Sequence, residues 1–173
     1  VRCNLDGNPL DDEQKKPSME VSFHAWILKS FPEIKCVCHT HPTNTNKILC
    51  SGDIIDFANK RLFPDQVVRN GIKSCVVPYA TPGISLREEI KKSVLEFIVD
   101  NGFFPKLILL KNHGIITAST SVQEAIVSTL MCEKSAEIFI GAKMLGKIQF
   151  LNQDEINSVN NHPSEKYRRS LIQ

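Results

Sequence analysis

The sequence predicts an α/β fold, in which one mixed β-sheet is flanked by helices. Short apolar runs typical of buried strands alternate along the chain with longer segments of helical periodicity. Capping and stop signals separate these segments. The 173 residues contain neither an internal repeat nor a low-complexity stretch. We therefore expect a single domain over residues 1–173, with a sheet covered by helices.

The first predicted elements are a turn, a helix and a strand. Asp6-Gly7-Asn8-Pro9 has the composition of a turn, and a polar loop follows through Lys16. Ser18 can N-cap a helix that continues until Phe31-Pro32. Residues 34–40 then have the composition of a strand.

Further elements are predicted from apolar runs in the rest of the chain. A helix is expected over residues 51–61 and a short strand over residues 74–78. The continuous apolar run 107–110 predicts a buried strand, which we expect to resume at residues 115–117.

Three pairs of residues predict where the later helices begin. In each pair a side-chain oxygen and a carboxylate three residues later can satisfy free backbone N–H groups. The pairs are Ser85 with Glu88, Ser121 with Glu124, and Asn152 with Glu155. The helix that starts near Ser85 is expected to end at Asn101-Gly102, a typical left-handed stop.

Charge and hydrophobicity argue against two classes of partner. The formal net charge is only +2 and the basic residues are scattered, so no nucleic-acid groove is indicated. No apolar run approaches the ~18 residues that cross a bilayer, and no secretory signal is visible. The six cysteines are too few for a disulfide scaffold, and reduced thiols are expected. We expect a cytoplasmic protein that binds neither nucleic acid nor membrane.

Two thiols and two imidazoles occur together in the stretch 36–42, CVCHTHP. On a strand His39 and His41 share one face, whereas Cys36 and Cys38 point the other way, toward the core. A structural Cys/His zinc site needs thiols and imidazoles to meet, and its usual ligand spacings are absent. The pattern therefore favours half of an open metal site over a structural one.

A third ligand and an acid–base group complete the candidate site. Catalytic zinc normally takes three protein ligands, and the best third is His113, although it could instead be a hydrogen-bonding turn residue. Gly114 beside it allows a tight turn or the close approach of a ligand. Glu20 is either an acid–base group or a carboxylate that favours the positive end of a helix. His24, one helical turn later, either orients a neighbour or packs as an ordinary histidine.

These residues, in this order, resemble the class II aldolase/adducin family, which includes L-fuculose-phosphate and L-rhamnulose-phosphate aldolases. The resemblance extends from Asp6 through the helix after Ser121. The matching pieces are Asp6-Gly7-Asn8, Pro17-Ser18-Met19-Glu20 followed by His24, His39-Thr40-His41-Pro42, the loop Pro78-Tyr79-Ala80-Thr81-Pro82-Gly83, and Asn112-His113-Gly114.

The resemblance implies a three-layer αβα fold, a metal site and a reaction. It implies that three histidines bind Zn2+ or another divalent ion such as Co2+ or Mn2+, and that one glutamate is the catalytic acid–base. It also implies that two polar side chains contact a sugar-phosphate-like substrate. The three histidines are His39, His41 and His113, the glutamate is Glu20, and the substrate contacts are Ser18 and Asn112.

The implied reaction is cleavage or formation of a C–C bond in a ketose phosphate or related keto polyol, through a metal-stabilised enediolate. The same family also contains dehydratases and epimerases, and adducin-like modules that lack catalysis. Members assemble as homotetramers with active sites at subunit interfaces, so a homotetramer is expected here.

Three departures from the family pattern concern the substrate. Met19 stands where the phosphate-specific aldolases have a second serine. Residues 61–65 stand where a neighbouring subunit's tyrosine is expected, and Tyr167 is the substitute that the sequence offers. The chain begins with Val1 and does not contain the family's N-terminal phosphate-binding loops, so we expect that the natural protein's N-terminal segment is missing.

Overall fold

The structure is a computed structural model that describes residues 1–10 and 16–164. At its centre is a mixed sheet of four strands: β1 (Cys36–Thr40), β2 (Cys75–Val77), β3 (Leu107–Leu110) and β4 (Gly114–Ser119). The strand order is β1-β4-β3-β2. The β1–β4 and β3–β4 pairs are antiparallel, whereas β2 and β3 run parallel.

Helices connect and cover these strands. Their bounds are α1 (Val21–Ser30), α2 (Thr43–Leu49), α3 (Ile54–Asn59), α4 (Pro64–Asn70), α5 (Ile84–Asn101), α6 (Val122–Leu145) and α7 (Gln153–Asn161).

The core consists of two apolar layers, one on each face of the sheet. Successive side chains of β3 alternate between them: Ile108 and Leu110 pack with α1 and α5, and Leu107 and Leu109 pack with α2, α3 and α6. All four residues of β3 are buried. This double coverage explains why the strand is a continuous apolar run. The predicted fold class, a mixed sheet flanked by helices in three layers, is confirmed.

Two of the predicted helix starts are correct in the structure. The Asn152 side chain and the Glu155 carboxylate form a full capping box at α7. The Ser121 hydroxyl accepts a hydrogen bond from the Glu124 N–H and caps α6. The Glu124 carboxylate does not close this second box, because it accepts from Thr120 and pairs with Lys106.

Other predicted helix boundaries are wrong by a few residues. Helix α5 begins at Ile84, because Gly83 takes the N-cap position with a φ of 107°, and Ser85 therefore does not cap it. The predicted stop is correct, since Gly102 is left-handed. The helix predicted over 51–61 is shorter, at Ile54–Asn59. Helices α2 and α4 were not predicted, because seven-residue helices show little periodicity.

Residues 107–117 form a hairpin of two apolar strands, not the single resumed strand that the sequence predicted. Leu110 pairs with Gly114 and Leu107 with Thr117. The chain reverses at Asn112, whose φ of 56° is left-handed, and the His113 N–H donates to the Leu110 carbonyl. As a result His113 lies in a turn at the same end of the sheet as the end of β1.

No helix in residues 1–10 and 16–164 is both long and apolar enough to cross a membrane. The six cysteines are free thiols.

Candidate metal and acid–base site

Three imidazoles converge at one end of the sheet. His39 lies near the end of β1, His41 immediately follows this strand, and His113 occupies the β3–β4 turn. One ring nitrogen from each lies within 4.8 Å of the other two. The closest pair, His39 Nε2 and His41 Nε2, is 3.0 Å apart. The structure therefore brings together all three histidines that the sequence singled out.

A backbone contact fixes the orientation of the His39 ring. Its Nδ1 lies 2.8 Å from the carbonyl oxygen of Ile115 on the neighbouring strand β4. A carbonyl oxygen can only accept, so Nδ1 carries the proton of the neutral ring. The lone pair of Nε2 is then directed at the other histidines, which is the arrangement that a metal-binding imidazole requires.

The absence of a side chain at Gly114 lets the two strands meet this closely. A Cβ atom built there would lie 2.3 Å from Cδ2 of His41 and 2.6 Å from the carbonyl oxygen of Thr40. Real Cβ atoms are essentially never found at such distances. The sequence suggested a tight turn or the close approach of a ligand at this glycine, but the group that approaches it is a histidine ring of the same chain.

Helix α2 supports the β3–β4 turn from the side. The Asn46 amide donates to the His113 carbonyl oxygen at 3.1 Å, and the Asn112 N–H donates to the Leu49 carbonyl oxygen at 3.2 Å. Sequence reasoning did not find Asn46. Its partner is 67 residues away, and no local pattern signals such a contact.

The Glu20 carboxylate faces the histidines. Its two oxygens lie 3.2 Å from His39 Nε2 and 3.1 Å from His113 Nε2. Glu20 occupies the N-cap position of α1, but its side chain does not cap this helix. The Ser18 hydroxyl instead accepts a hydrogen bond from the Glu20 N–H at 3.2 Å. The carboxylate is thus directed into the cluster and not at the helix end, which was the other interpretation of this residue.

Burial favours the neutral form of two histidines of the cluster, His39 and His113. It lowers the pKa of His39 and of His113 below the ordinary value of 6.5, and the neighbouring His39 lowers the pKa of His113 further. The Glu20 carboxylate partly opposes both pKa shifts. Neutral imidazole is the form that binds a metal, so the site is prepared for one near neutral pH.

The donor set fits a divalent ion. Three neutral imidazoles with a carboxylate beside them are suitable ligands for zinc, cobalt or manganese. Two nitrogens bound tetrahedrally to zinc at ordinary bond lengths would be about 3.3 Å apart, close to the 3.0 Å between His39 and His41. In addition, the His113 Nδ1 is buried without a hydrogen-bond partner in the described part of the chain.

The two thiols of the CVCHTHP stretch do not join this cluster. Neither Cys36 nor Cys38 belongs to the group of side chains that could share an ion within the described residues. Cys38 lies directly opposite Thr117, which is buried and hydrogen-bonds to α6, so Cys38 faces the covered side of the sheet as predicted. Both thiols are nevertheless only half-buried. Strand β1 is at the edge of the sheet, and an edge strand is less completely covered. Burial, followed by the charge of Cys38, raises the pKa of the Cys36 thiol.

A cavity of about 420 Å³ opens beside the cluster. Ser18, Glu20, His24 and His39 are among the residues that line it. The His24 ring stacks on Phe23, and burial lowers its pKa. His24 is therefore packed against Phe23, as one of the two interpretations held, and it also lines the cavity. A role in orienting a neighbour stays a prediction.

The other predicted substrate contact, Asn112, lies outside this cavity. Asn112 is exposed in the β3–β4 turn and, within the described residues, is not part of the cavity wall. Tyr167 lies outside the described residues.

The fold and the cluster agree with the comparison to protein families. The sequence profile of the class II aldolase and adducin N-terminal domain matches residues 1–140. The chain belongs to this family.

Several similar curated proteins are named as decarboxylases or aldolases. The chain is 34% identical over 145 residues to a 3-oxo-tetronate 4-phosphate decarboxylase of Pectobacterium atrosepticum, covering 82% of the chain and 61% of the relative. The chain is 29% identical to the decarboxylase of the same name from Haemophilus influenzae, covering 91% of the chain and 70% of the relative. It is 31% identical to an L-fuculose phosphate aldolase of Methanococcus maripaludis, covering 79% and 66%. The chain thus spans about two thirds of the length of these relatives.

A solved structure supports the same assignment. YgbL of Klebsiella pneumoniae, a candidate aldolase, epimerase or decarboxylase, superposes with a TM-score of 0.73 at 27% identity. The superposition covers 90% of this chain and 70% of YgbL.

Proposed function

We propose that the chain is the catalytic part of a metal-dependent carbon–carbon lyase that acts on a phosphorylated keto acid or keto sugar. The observation that carries this proposal is the convergence of three histidine nitrogens within 4.8 Å, with the Glu20 carboxylate 3.1–3.2 Å from two of them. An adducin-like module without catalysis would not need this convergence.

In this proposal His39, His41 and His113 hold the divalent ion, with zinc as the first candidate and cobalt or manganese as the others. Bound there, the ion would supply Lewis acidity toward the substrate oxygens on which negative charge develops when a carbon–carbon bond breaks. Because all three ligands are neutral, the full double charge of the ion remains available.

Glu20 is proposed as the group that moves the proton. Its carboxylate lies on the cavity wall and against the histidines, so a substrate beside the cluster lies within reach of its oxygens. A positioned carboxyl group of this kind typically contributes roughly 10²–10⁴-fold to the rate.

The names of the relatives define two reactions that converge on one intermediate. In a 3-oxo-tetronate 4-phosphate, breaking C1–C2 releases CO2 and leaves the electron pair on C2, next to the C3 ketone. In a ketose 1-phosphate, breaking C3–C4 releases an aldehyde and leaves the pair on C3, next to the C2 ketone. Either pair forms the same enediolate, and protonation of its carbon by Glu20 gives dihydroxyacetone phosphate.

The site favours decarboxylation as the first reaction to test. Decarboxylation requires one proton, delivered to carbon, and the Glu20 carboxylate can take that proton from water and pass it on. Aldol cleavage requires in addition a group that removes the proton from the C4 hydroxyl. Within the described residues no tyrosine lines the cavity. The decarboxylase relatives, at 29% and 34% identity, point the same way.

Aldol cleavage is the second candidate, supported by the 31% identity to an L-fuculose phosphate aldolase. Its missing acid–base group would come from another subunit of the proposed homotetramer, whose active sites lie at subunit interfaces. Dehydration and epimerisation use the same metal and base, and product mass separates them from either cleavage.

The substrate's phosphate is proposed to bind near Ser18, whose hydroxyl lies at the cavity beside Glu20. Asn112 is proposed as a further substrate contact from the β3–β4 turn. We place the enzyme in the cytoplasm, where sugar phosphates are metabolised.

The test is product formation by zinc-loaded protein given each substrate separately. With 3-oxo-tetronate 4-phosphate we expect CO2 and dihydroxyacetone phosphate in equal amounts, measured by a manometric and an NADH-coupled assay. With L-fuculose 1-phosphate the second candidate predicts dihydroxyacetone phosphate and an aldehyde. If zinc-loaded protein leaves both substrates intact, the proposal is wrong.

A further inference from the structure

Helix α2 contacts both segments that carry the histidines, because it follows His41 in the chain and hydrogen-bonds to the β3–β4 turn. Its first residue, Thr43, comes two positions after His41. Its side chain Asn46 holds the His113 carbonyl oxygen, and its last carbonyl, at Leu49, accepts from the β3–β4 turn. A shift of this helix would therefore displace ligands on both sides of the cluster.

The start of α2 is held by a side chain from a distant helix. Pro42 occupies the N-cap position of α2 and has no side-chain acceptor to offer. Glu133 of α6 supplies the missing acceptors, since its two oxygens accept from the N–H groups of Asn44 and Thr45, at 2.8 and 2.9 Å. The Thr45 hydroxyl, which is fully buried, donates to the same carboxylate at 2.9 Å.

The carboxylate is ionised in this position. Burial raises the pKa of Glu133, but the hydrogen bonds from Asn44 and Thr45 outweigh this effect and bring the pKa below its ordinary value. A charge at the first turn of a helix is also favoured by the helix dipole. Glu133 is thus a strong anchor and not an incidental contact.

We propose that Glu133 is a positioning residue of the metal site, which acts through α2 on His41 and His113. The inference rests on the proposed metal-binding role of the histidines. His39 has its own anchor in the Ile115 carbonyl. His41 is exposed, so its location depends on the backbone between the end of β1 and the start of α2. Glu133 fixes the start of α2.

The experiment compares zinc affinity in Glu133→Gln, Glu133→Ala and wild-type protein, by competition with a chromophoric chelator. Glu137→Ala is the matched control, because Glu137 is exposed one turn further along α6. We expect Glu133→Ala to weaken zinc binding, but by no more than the roughly 10- to 100-fold that losing a direct hydrogen-bond partner of a ligand costs, because Glu133 acts through α2. Glu133→Gln keeps the shape of the side chain and one acceptor oxygen, so the loss of zinc affinity should be smaller in this variant. The control should retain wild-type affinity.

Two further readouts separate positioning from plain stabilisation. Circular dichroism at the assay temperature must show folded protein, and the visible absorption of the Co2+-loaded protein should change in the Glu133 variants. A lower melting temperature with wild-type zinc affinity and an unchanged Co2+ spectrum would overturn the inference. If Glu133→Ala does not fold, the isosteric Glu133→Gln decides alone by the same criteria. Failure of wild-type protein to bind zinc would instead contradict the proposed function.

Discussion

The end of β1 and the β3–β4 turn both present histidines to one point, but they are shaped by different forces. At β1 the alternation of a strand puts His39 and His41 on one side, and the Ile115 carbonyl fixes the first ring. At the turn, the position of His113 depends on the left-handed backbone of Asn112 and on the hydrogen bond from the Asn46 amide to the His113 carbonyl oxygen. The shared face of His39 and His41 follows from the local strand pattern, whereas the position of His113 also requires a contact that exists only in the assembled fold.

The largest effect should come from removing a ligand on the β1 side. His41→Ala is expected to abolish stoichiometric zinc binding and activity together, because two imidazoles hold zinc poorly. Zinc content after gel filtration measures this directly. His162→Ala, a histidine outside the cluster, is the control and should retain both. One zinc per chain in the His41→Ala variant would refute the ligand assignment.

Glu20, which faces both histidine segments, should affect chemistry without affecting the metal. Glu20→Gln keeps the shape of the side chain but removes its acid–base function. We expect zinc binding and the melting temperature to persist while kcat falls by roughly 10²–10⁴-fold. Steady-state kinetics at saturating substrate test this prediction, and a kcat near that of wild type would clear Glu20 of the role.

The contact between the two segments can be broken at Gly114. In Gly114→Ala the new methyl group would collide with the His41 ring and the Thr40 carbonyl. Either the turn or the ring must move, and we expect zinc affinity to fall by at least about tenfold. Gly52→Ala is the matched control, because a Cβ atom added at Gly52 would meet no atom within 4 Å. Equal zinc affinity in the two variants would show that the close approach is unimportant.

The smallest effect concerns the side chain of Asn112. Asn112→Gly preserves the left-handed turn, so stability and zinc binding should remain as in wild type. If the amide contacts substrate as proposed, kcat/KM should fall roughly two- to tenfold, the usual loss for one neutral hydrogen bond. An unchanged kcat/KM would leave Asn112 with its backbone role alone.

The same contrast explains how much the sequence could predict. Strand alternation put His39 and His41 on one face, and the resemblance carried by the order of the motifs implied His113 and Glu20. The fold brings all four side chains together. The hairpin was missed because its two strands are similar apolar runs, and only the three residues between them, with the left-handed Asn112, mark the reversal. Apolar periodicity does not reveal that kind of signal.

The supporting contacts could not be predicted, because their partners are distant in the chain. Glu133 lies 88 residues from Thr45, and Asn46 lies 67 residues from His113. Nothing in the sequence around Glu133 distinguishes it from the exposed Glu137 on the same helix. Helix α2, which both contacts depend on, was itself too short to be recognised.

One divalent ion, held by three histidines of a single chain, is proposed to be required for carbon–carbon cleavage. The most direct test is to add zinc in steps to metal-free protein and to measure dihydroxyacetone phosphate release from 3-oxo-tetronate 4-phosphate. We predict that activity rises in proportion to zinc and levels off at one ion per chain. Full activity in the metal-free protein, or no activity at any zinc concentration, would contradict this requirement.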